Sequence, residues 1–173
     1  MSTNFNPSIN TEIEALPSIE FAKIGIVVSE WYYDEINSKM LQGAVEVLKA
    51  KGVKDDNIII KKVPGSFELP LGALKFIEFN TNVNAVICIG CVIKGDTKHN
   101  EYISQAVANE IGRLNTDYSI PIIFGVLTTE NLQQAVDRAG GKHGNKGVDS
   151  AIAAIKMIDL QASFASNYNN TPS

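Results

Sequence analysis

Residues 84–99 read NAVICIGCVIKGDTKH, and the change of character inside this stretch decides the fold class. NAVICIGC (84–91) is an apolar run rich in β-branched residues, the pattern of a strand buried on both faces within a parallel sheet. Such a strand meets solvent only at its carboxyl end, where α/β proteins bind their ligands. Gly95, Asp96, Thr97, Lys98 and His99 arrive at that end. Glycine permits close approach to the backbone, Thr97 and Lys98 can donate to phosphate oxygens, and His99 has an ordinary pKa suited to moving a proton near neutrality. A merely solvated connection from strand to helix would also be charged, so the loop alone leaves both readings open.

Three further runs have the same composition: AKIGIVV (22–28), NIIIKKV (57–63) and IPIIFGVL (120–127). Between the first two, Ile36, Met40, Ala44, Val47 and Leu48 recur at helical spacing, and Gly52 supplies the stop. Pro64 and Gly65 then turn the chain into a helix marked by Leu69, Ala73, Phe76 and Ile77, with Pro70 tolerated in its first turn. Ile103, Ala106, Val107, Ile111 and Leu114 line a third helix, and two more are predicted at about 130–139 and 147–163. The alternation βαβαβαβαα with right-handed crossovers predicts an α/β, doubly wound parallel sheet of four strands, order 2-1-3-4, with helices on both faces. This is a flavodoxin-like arrangement, with a crevice where the winding reverses between strands 1 and 3. Ser29, Glu30 and Trp31, Gly65 to Glu68, and Cys91 to His99 gather at that crevice, and Phe124 is expected to approach the end of strand 4.

A chain of 173 residues with 45% hydrophobic content suits one domain, expected over 21–163, between polar tails at 1–20 and 164–173. A net charge of -4 and a pI near 5.2 argue against a nucleic-acid partner. No apolar stretch is long enough for a membrane span and no secretory signal is legible, so a cytoplasmic protein is expected. Cys88 and Cys91 form a C-x-x-C, yet it lies inside a strand run and has no second pair to complete a metal site. Both are read as core residues, with no metal expected.

The segment after strand 1, VVSEWYYDE, has no G-x-G-x-x-G, and GGKHGNKG (140–147) is not a G-x-x-x-x-G-K-[ST] loop. It nevertheless puts Arg138, Lys142 and Lys146 near the start of the last helix, where an anion is favoured, and a small phosphorylated metabolite would suit them. Lys94, Lys98, Lys142 and His143 are given no chemical step.

VPGSFELP, AVICIGCVIKGDTKHNEYI, PIIFGVLTTENLQQA and RAGGKHGNKGVDSAIAAIKM resemble, in order, consecutive blocks of the 6,7-dimethyl-8-ribityllumazine synthase family, over about residues 22–160. The resemblance implies condensation of 5-amino-6-(D-ribitylamino)uracil with L-3,4-dihydroxy-2-butanone 4-phosphate, with loss of phosphate and water, in riboflavin synthesis and without a cofactor. It makes Trp31 the platform for the pyrimidine, and Ser66 and Glu68, beside Phe67, ligands of the ribityl chain. Cys91, Val92 and Ile93 would hold the ring edge through backbone groups. Gly95, Asp96 and Thr97 would form the phosphate loop with Arg138 as its partner, and His99 would carry the proton. Phe124 and Arg138 would come from a neighbouring subunit, with Lys146 at the same edge, in a homopentamer or a sixty-subunit capsid of pentamers. A flavin or lumazine carrier is the competing class, but it would need neither Thr97 nor Arg138.

Two departures stand out. Many relatives have Arg-Phe-Asn or Glu-Trp-Asn after strand 1, whereas this chain has Glu30-Trp31-Tyr32-Tyr33 and one extra residue before the helix, leaving the Asn role vacant. Cys91 stands where relatives often have Ser or Thr, which matters little for a backbone contact.

Overall fold

The computed structural model describes residues 7–79 and 82–169. Four parallel strands, β1 (Ile24–Ser29), β2 (Ile58–Val63), β3 (Ala85–Ile93) and β4 (Ile122–Thr129), form one sheet in the order β2-β1-β3-β4. The expected strand order and winding are therefore present. Helices α2 (Ser38–Ala50), α3 (Leu69–Phe79) and α4 (His99–Tyr118) are the crossovers, and α5 (Leu132–Arg138) and α6 (Lys146–Asn169) follow β4.

Side chains alternate across the strands, so the sheet separates two apolar layers. Ile87, Ile89 and Cys91 of β3 join Ile24, Ile26 and Val28 of β1 under α2 and α6, where Met40, Leu48, Ala151 and Ile155 are buried. Val86 and Cys88 face the other way with Val27, against Leu69 and Phe76 of α3 and Val107, Ile111 and Leu114 of α4. The strand period thus sends the two cysteines, three positions apart, to opposite layers. Both thiols are buried, and loss of hydration pushes each pKa up to about 12. Neither geometry nor ionisation suits a redox pair.

Strands β1 and β3 are buried as central parallel strands should be, but β2 lies at the edge with Ile60, Lys61 and Lys62 exposed. Strand β4 begins later than its apolar run suggests. Asn115 of α4 accepts from Ile122 N–H and donates to Ile122 C=O, both at 2.8 Å, pinning the start of the strand. Phe124 consequently pairs with Cys88 near the beginning of β4, and does not approach its carboxyl end. It is half-buried against the α3/α4 layer.

The segment read as an N-terminal tail carries helix α1 (Pro7–Ala15), with Ile13, Leu16 and Ile19 buried beside the α2/α6 layer. Residues 1–6 and 170–173 of the two expected tails lie outside the described residues. A hairpin of β5 (Ala139–Gly141) and β6 (Gly144–Asn145) joins α5 to α6. At its exit Gly147 lies so close to α2 that a Cβ there would collide with the Met40 carbonyl. Among the described residues no helix is long and apolar enough to cross a membrane.

Candidate functional site

At the carboxyl ends of β1 and β3, where the winding reverses, lies a cleft of about 250 Å³. One wall comes from the segment after β1. Glu30 N–H and Trp31 N–H donate to the carbonyls of Val63 and Pro64 at 2.8 and 3.2 Å, so this segment continues the pairing with β2 and projects the indole beyond the sheet. Trp31 is 67% exposed and lines the cleft with its indole. Its ring passes over Gly65, where a Cβ would stand 3.2 Å from the indole Cε3.

The floor belongs to the turn after β2 and the end of β3. Buried Ser66 donates its hydroxyl to the Cys91 carbonyl at 3.3 Å and thereby ties the turn to β3. Gly90 makes this possible, because a Cβ there would stand 2.6 Å from Ser66 Oγ. Phe67 lines the cleft and is exposed. Glu68 is not in its lining: its carboxylate accepts from Gly65 N–H at 2.9 Å and caps its own turn. Cys91, Val92 and Ile93 supply the β3 contribution.

The opposite wall is the loop into α4. Gly95, Thr97 and His99 line it, all exposed, while Asp96 is exposed on the same loop outside the lining. His99 N–H donates to Thr97 Oγ1 at 3.4 Å, a local bond that organises the start of the helix. Asn100, next to His99, and Ile103, one helical turn onward, complete the wall, and Tyr32 adds to the rim beside Trp31. Asn100 and Ile103 were not anticipated as site residues. Position N-terminal on a helix that begins at a strand's carboxyl end is the one signal that would have found them.

Arg138, Lys146 and Phe124 stand elsewhere. Arg138 ends α5 and donates through Nη2 to Asp149 Oδ2 at 2.9 Å and through Nη1 to the His143 carbonyl at 2.5 Å. Asp137 beside it is nearly buried, and its carboxyl is held below the usual carboxylate range first by the Gln133 hydrogen bond, then by Lys142. Lys146 opens α6 against the start of α2, where Asn145 donates to the Lys39 carbonyl at 3.0 Å. This cluster sits on the α2/α6 side of the sheet, whereas α4 and the cleft wall belong to the other side. Trp31, the end of β3 and the Thr97–His99 loop thus line one cleft, and Arg138 is not among its lining residues. Among the described residues no group of three or more His, Cys, Asp or Glu is arranged as metal ligands.

The sequence profile of the family described as 6,7-dimethyl-8-ribityllumazine synthase matches residues 22–162. A 6,7-dimethyl-8-ribityllumazine synthase of Parabacteroides distasonis is 45% identical over 162 residues, which cover 94% of this chain and 100% of the relative. One of Bacteroides fragilis is 53% identical over 138 residues, 80% of this chain and 95% of the relative. One of Clostridium kluyveri is 47% identical over 141 residues, 82% and 90% of the two chains.

Proposed function

This chain belongs to the 6,7-dimethyl-8-ribityllumazine synthase family, and on that premise we propose that it condenses 5-amino-6-(D-ribitylamino)uracil with L-3,4-dihydroxy-2-butanone 4-phosphate to give the lumazine, phosphate and water. It is a transferase of riboflavin biosynthesis, and we place it in the cytoplasm. The observation that carries the reading is the cleft between β1 and β3, with Trp31 on one wall and the Thr97–His99 loop on the other. A flat heteroaromatic ring has a surface to stack on, and a phosphorylated chain has donors within reach.

In this reading the pyrimidine stacks on Trp31, with its edge held by backbone groups of Cys91, Val92 and Ile93. The ribityl chain runs past Ser66, Phe67 and Glu68. The phosphate lies on Gly95, Asp96 and Thr97. The pyrimidine amine attacks the ketone carbon, and expulsion of water to form the imine requires a proton delivered to the departing oxygen. His99, at the start of α4, carries it in this reading. Phosphate then leaves, its growing charge met by Thr97, loop N–H groups and a guanidinium. Holding two reactive molecules together supplies much of the acceleration.

The guanidinium, Arg138, reaches the cleft from a neighbouring subunit together with Phe124 and Lys146. Its placement across the sheet from its own cleft supports a site shared between copies, in a homopentamer or a sixty-subunit capsid. The test is direct: pure protein is mixed with both substrates, and lumazine fluorescence and released phosphate are followed together. Equal amounts of both products are expected, and binding of lumazine without its formation would replace the synthase with a carrier.

A further inference from the structure

After strand β1 the chain makes a π-helical turn, Tyr33–Asn37, entered through Tyr32 at φ 60 and ψ 27. Ile36 N–H and Asn37 N–H both donate to the Tyr32 carbonyl at 3.0 Å, the second spanning five residues as a π turn does. A π turn holds one residue more than an α turn, so it has room for the extra residue read before the helix.

The turn is locked by one side chain. Asn37 is fully buried, and its Nδ2 lies 2.9 Å from the Ser29 carbonyl, 2.8 Å from the Trp31 carbonyl and 2.9 Å from Ser29 Oγ. Two carbonyl acceptors fix the amide's orientation, because the flipped amide would set Oδ1 against both. The same orientation leaves Oδ1 buried without a hydrogen-bond partner among the described residues. The amide's hydrogen bonds all run through Nδ2, toward Ser29 and Trp31. What the amide does achieve is to clamp the arc from Ser29, the last residue of β1, to Trp31, the residue that carries the indole.

We propose that Asn37 is a positioning residue for pyrimidine binding, holding the Ser29–Trp31 arc so that the Trp31 indole faces the Thr97–His99 loop across the cleft. The inference rests on the reading of Trp31 as the pyrimidine platform. It also gives the vacant asparagine role an occupant of a different kind, acting on the platform from beneath.

Trp31 is the one tryptophan of the chain, so its fluorescence reports this site alone. The experiment compares wild type with Asn37→Leu, which keeps the branching at Cγ in a somewhat larger side chain and removes both the donor and the acceptor. Melting temperature, tryptophan emission, quenching by 5-amino-6-(D-ribitylamino)uracil alone, and KM for each substrate are measured. The expected result is a folded variant with shifted emission and pyrimidine affinity weakened about tenfold, the loss of roughly one hydrogen bond. KM for the butanone phosphate and kcat should stay close to wild type. Asn37→Ser, which keeps one smaller donor, should lie between the two. Either variant, folded and with unchanged emission and pyrimidine affinity, overturns the proposal, as does a fall in kcat with affinity intact. The pyrimidine titration needs no turnover, so a wild type that binds the pyrimidine but makes no lumazine would overturn the proposed reaction and not this inference.

Discussion

Arg138 at the end of α5 and Asp149 in the first turn of α6 form an ion pair, Nη2 to Oδ2 at 2.9 Å, across the β5–β6 hairpin. Both side chains are more than a third exposed, so the pair contributes about 0–1 kcal/mol to stability. Together with the His143 carbonyl, which accepts from Nη1, Asp149 holds the guanidinium in one direction. Asp149→Asn should leave the melting temperature nearly unchanged while raising KM for the butanone phosphate by about three- to tenfold, toward the defect of an arginine that binds without a fixed direction. Steady-state kinetics with saturating pyrimidine check this.

Arg138→Ala should be more damaging than His99→Ala. In the proposed reaction the guanidinium meets the leaving phosphate, and its removal is expected to cost on the order of a hundredfold or more in kcat/KM. Removing a proton carrier from a reaction between two reactive, well-positioned partners should cost about tenfold. Equal losses in the two variants, assayed at saturating pyrimidine, would reverse the ranking.

A site built from two subunits predicts complementation. Trp31→Ala and Arg138→Ala proteins, each nearly inactive, are unfolded together, refolded as a mixture and assayed. Random assembly leaves about a quarter of the sites with an intact Trp31 from one copy and an intact Arg138 from the next. Activity should return to that level, and a mixture no more active than its components would place both residues in one chain's site.

The buried thiols impose an alkaline limit. Their native pKa values of about 12 exceed the 9.0 of an unperturbed thiol, so the native state holds protons that the unfolded chain releases. This contribution is fully present below about pH 9 and is lost as the pH climbs from 9 toward 12, at up to about 1.4 kcal/mol per pH unit for each thiol. Melting temperature should fall steeply above pH 9, and Cys88→Ala with Cys91→Ala should flatten the slope while lowering the value at neutral pH. Thiol reagents at pH 8 should label the native protein slowly.

Gly90→Ala tests the floor of the cleft. Its methyl would press on Ser66 Oγ and Leu69 Cδ1, at 2.6 and 2.8 Å, and force the Ser66–Cys91 link apart. A loss of about 1–3 kcal/mol in chemical denaturation is expected, with weakened pyrimidine binding.

Much of the cleft could be read before any coordinates, because its components follow strand ends. Trp31 comes directly after β1, Ser66 and Phe67 after β2, and Thr97 and His99 after β3, so an assignment of strands from apolar runs also places these side chains at one edge of the sheet. Phe124 escaped this logic. The run IPIIFGVL does not reveal that Asn115 pins Ile122 at the strand's beginning, which puts Phe124 level with Cys88. Asn37 escaped it too, since a lone asparagine before a helix looks like any other polar residue until three acceptors close around it.

The sequence by itself determined the four strands, their parallel order and the two-sided core, because hydrophobic period and right-handed crossover are local properties that add up along the chain. Only the tertiary structure decided which face each side chain took and where each strand began. It built the π turn beneath Trp31 and left Arg138 across the sheet from its own chain's cleft. Those outcomes depend on contacts between residues far apart in the chain, and a one-residue change in register or in a turn redirects a side chain without altering the pattern that encodes the strand.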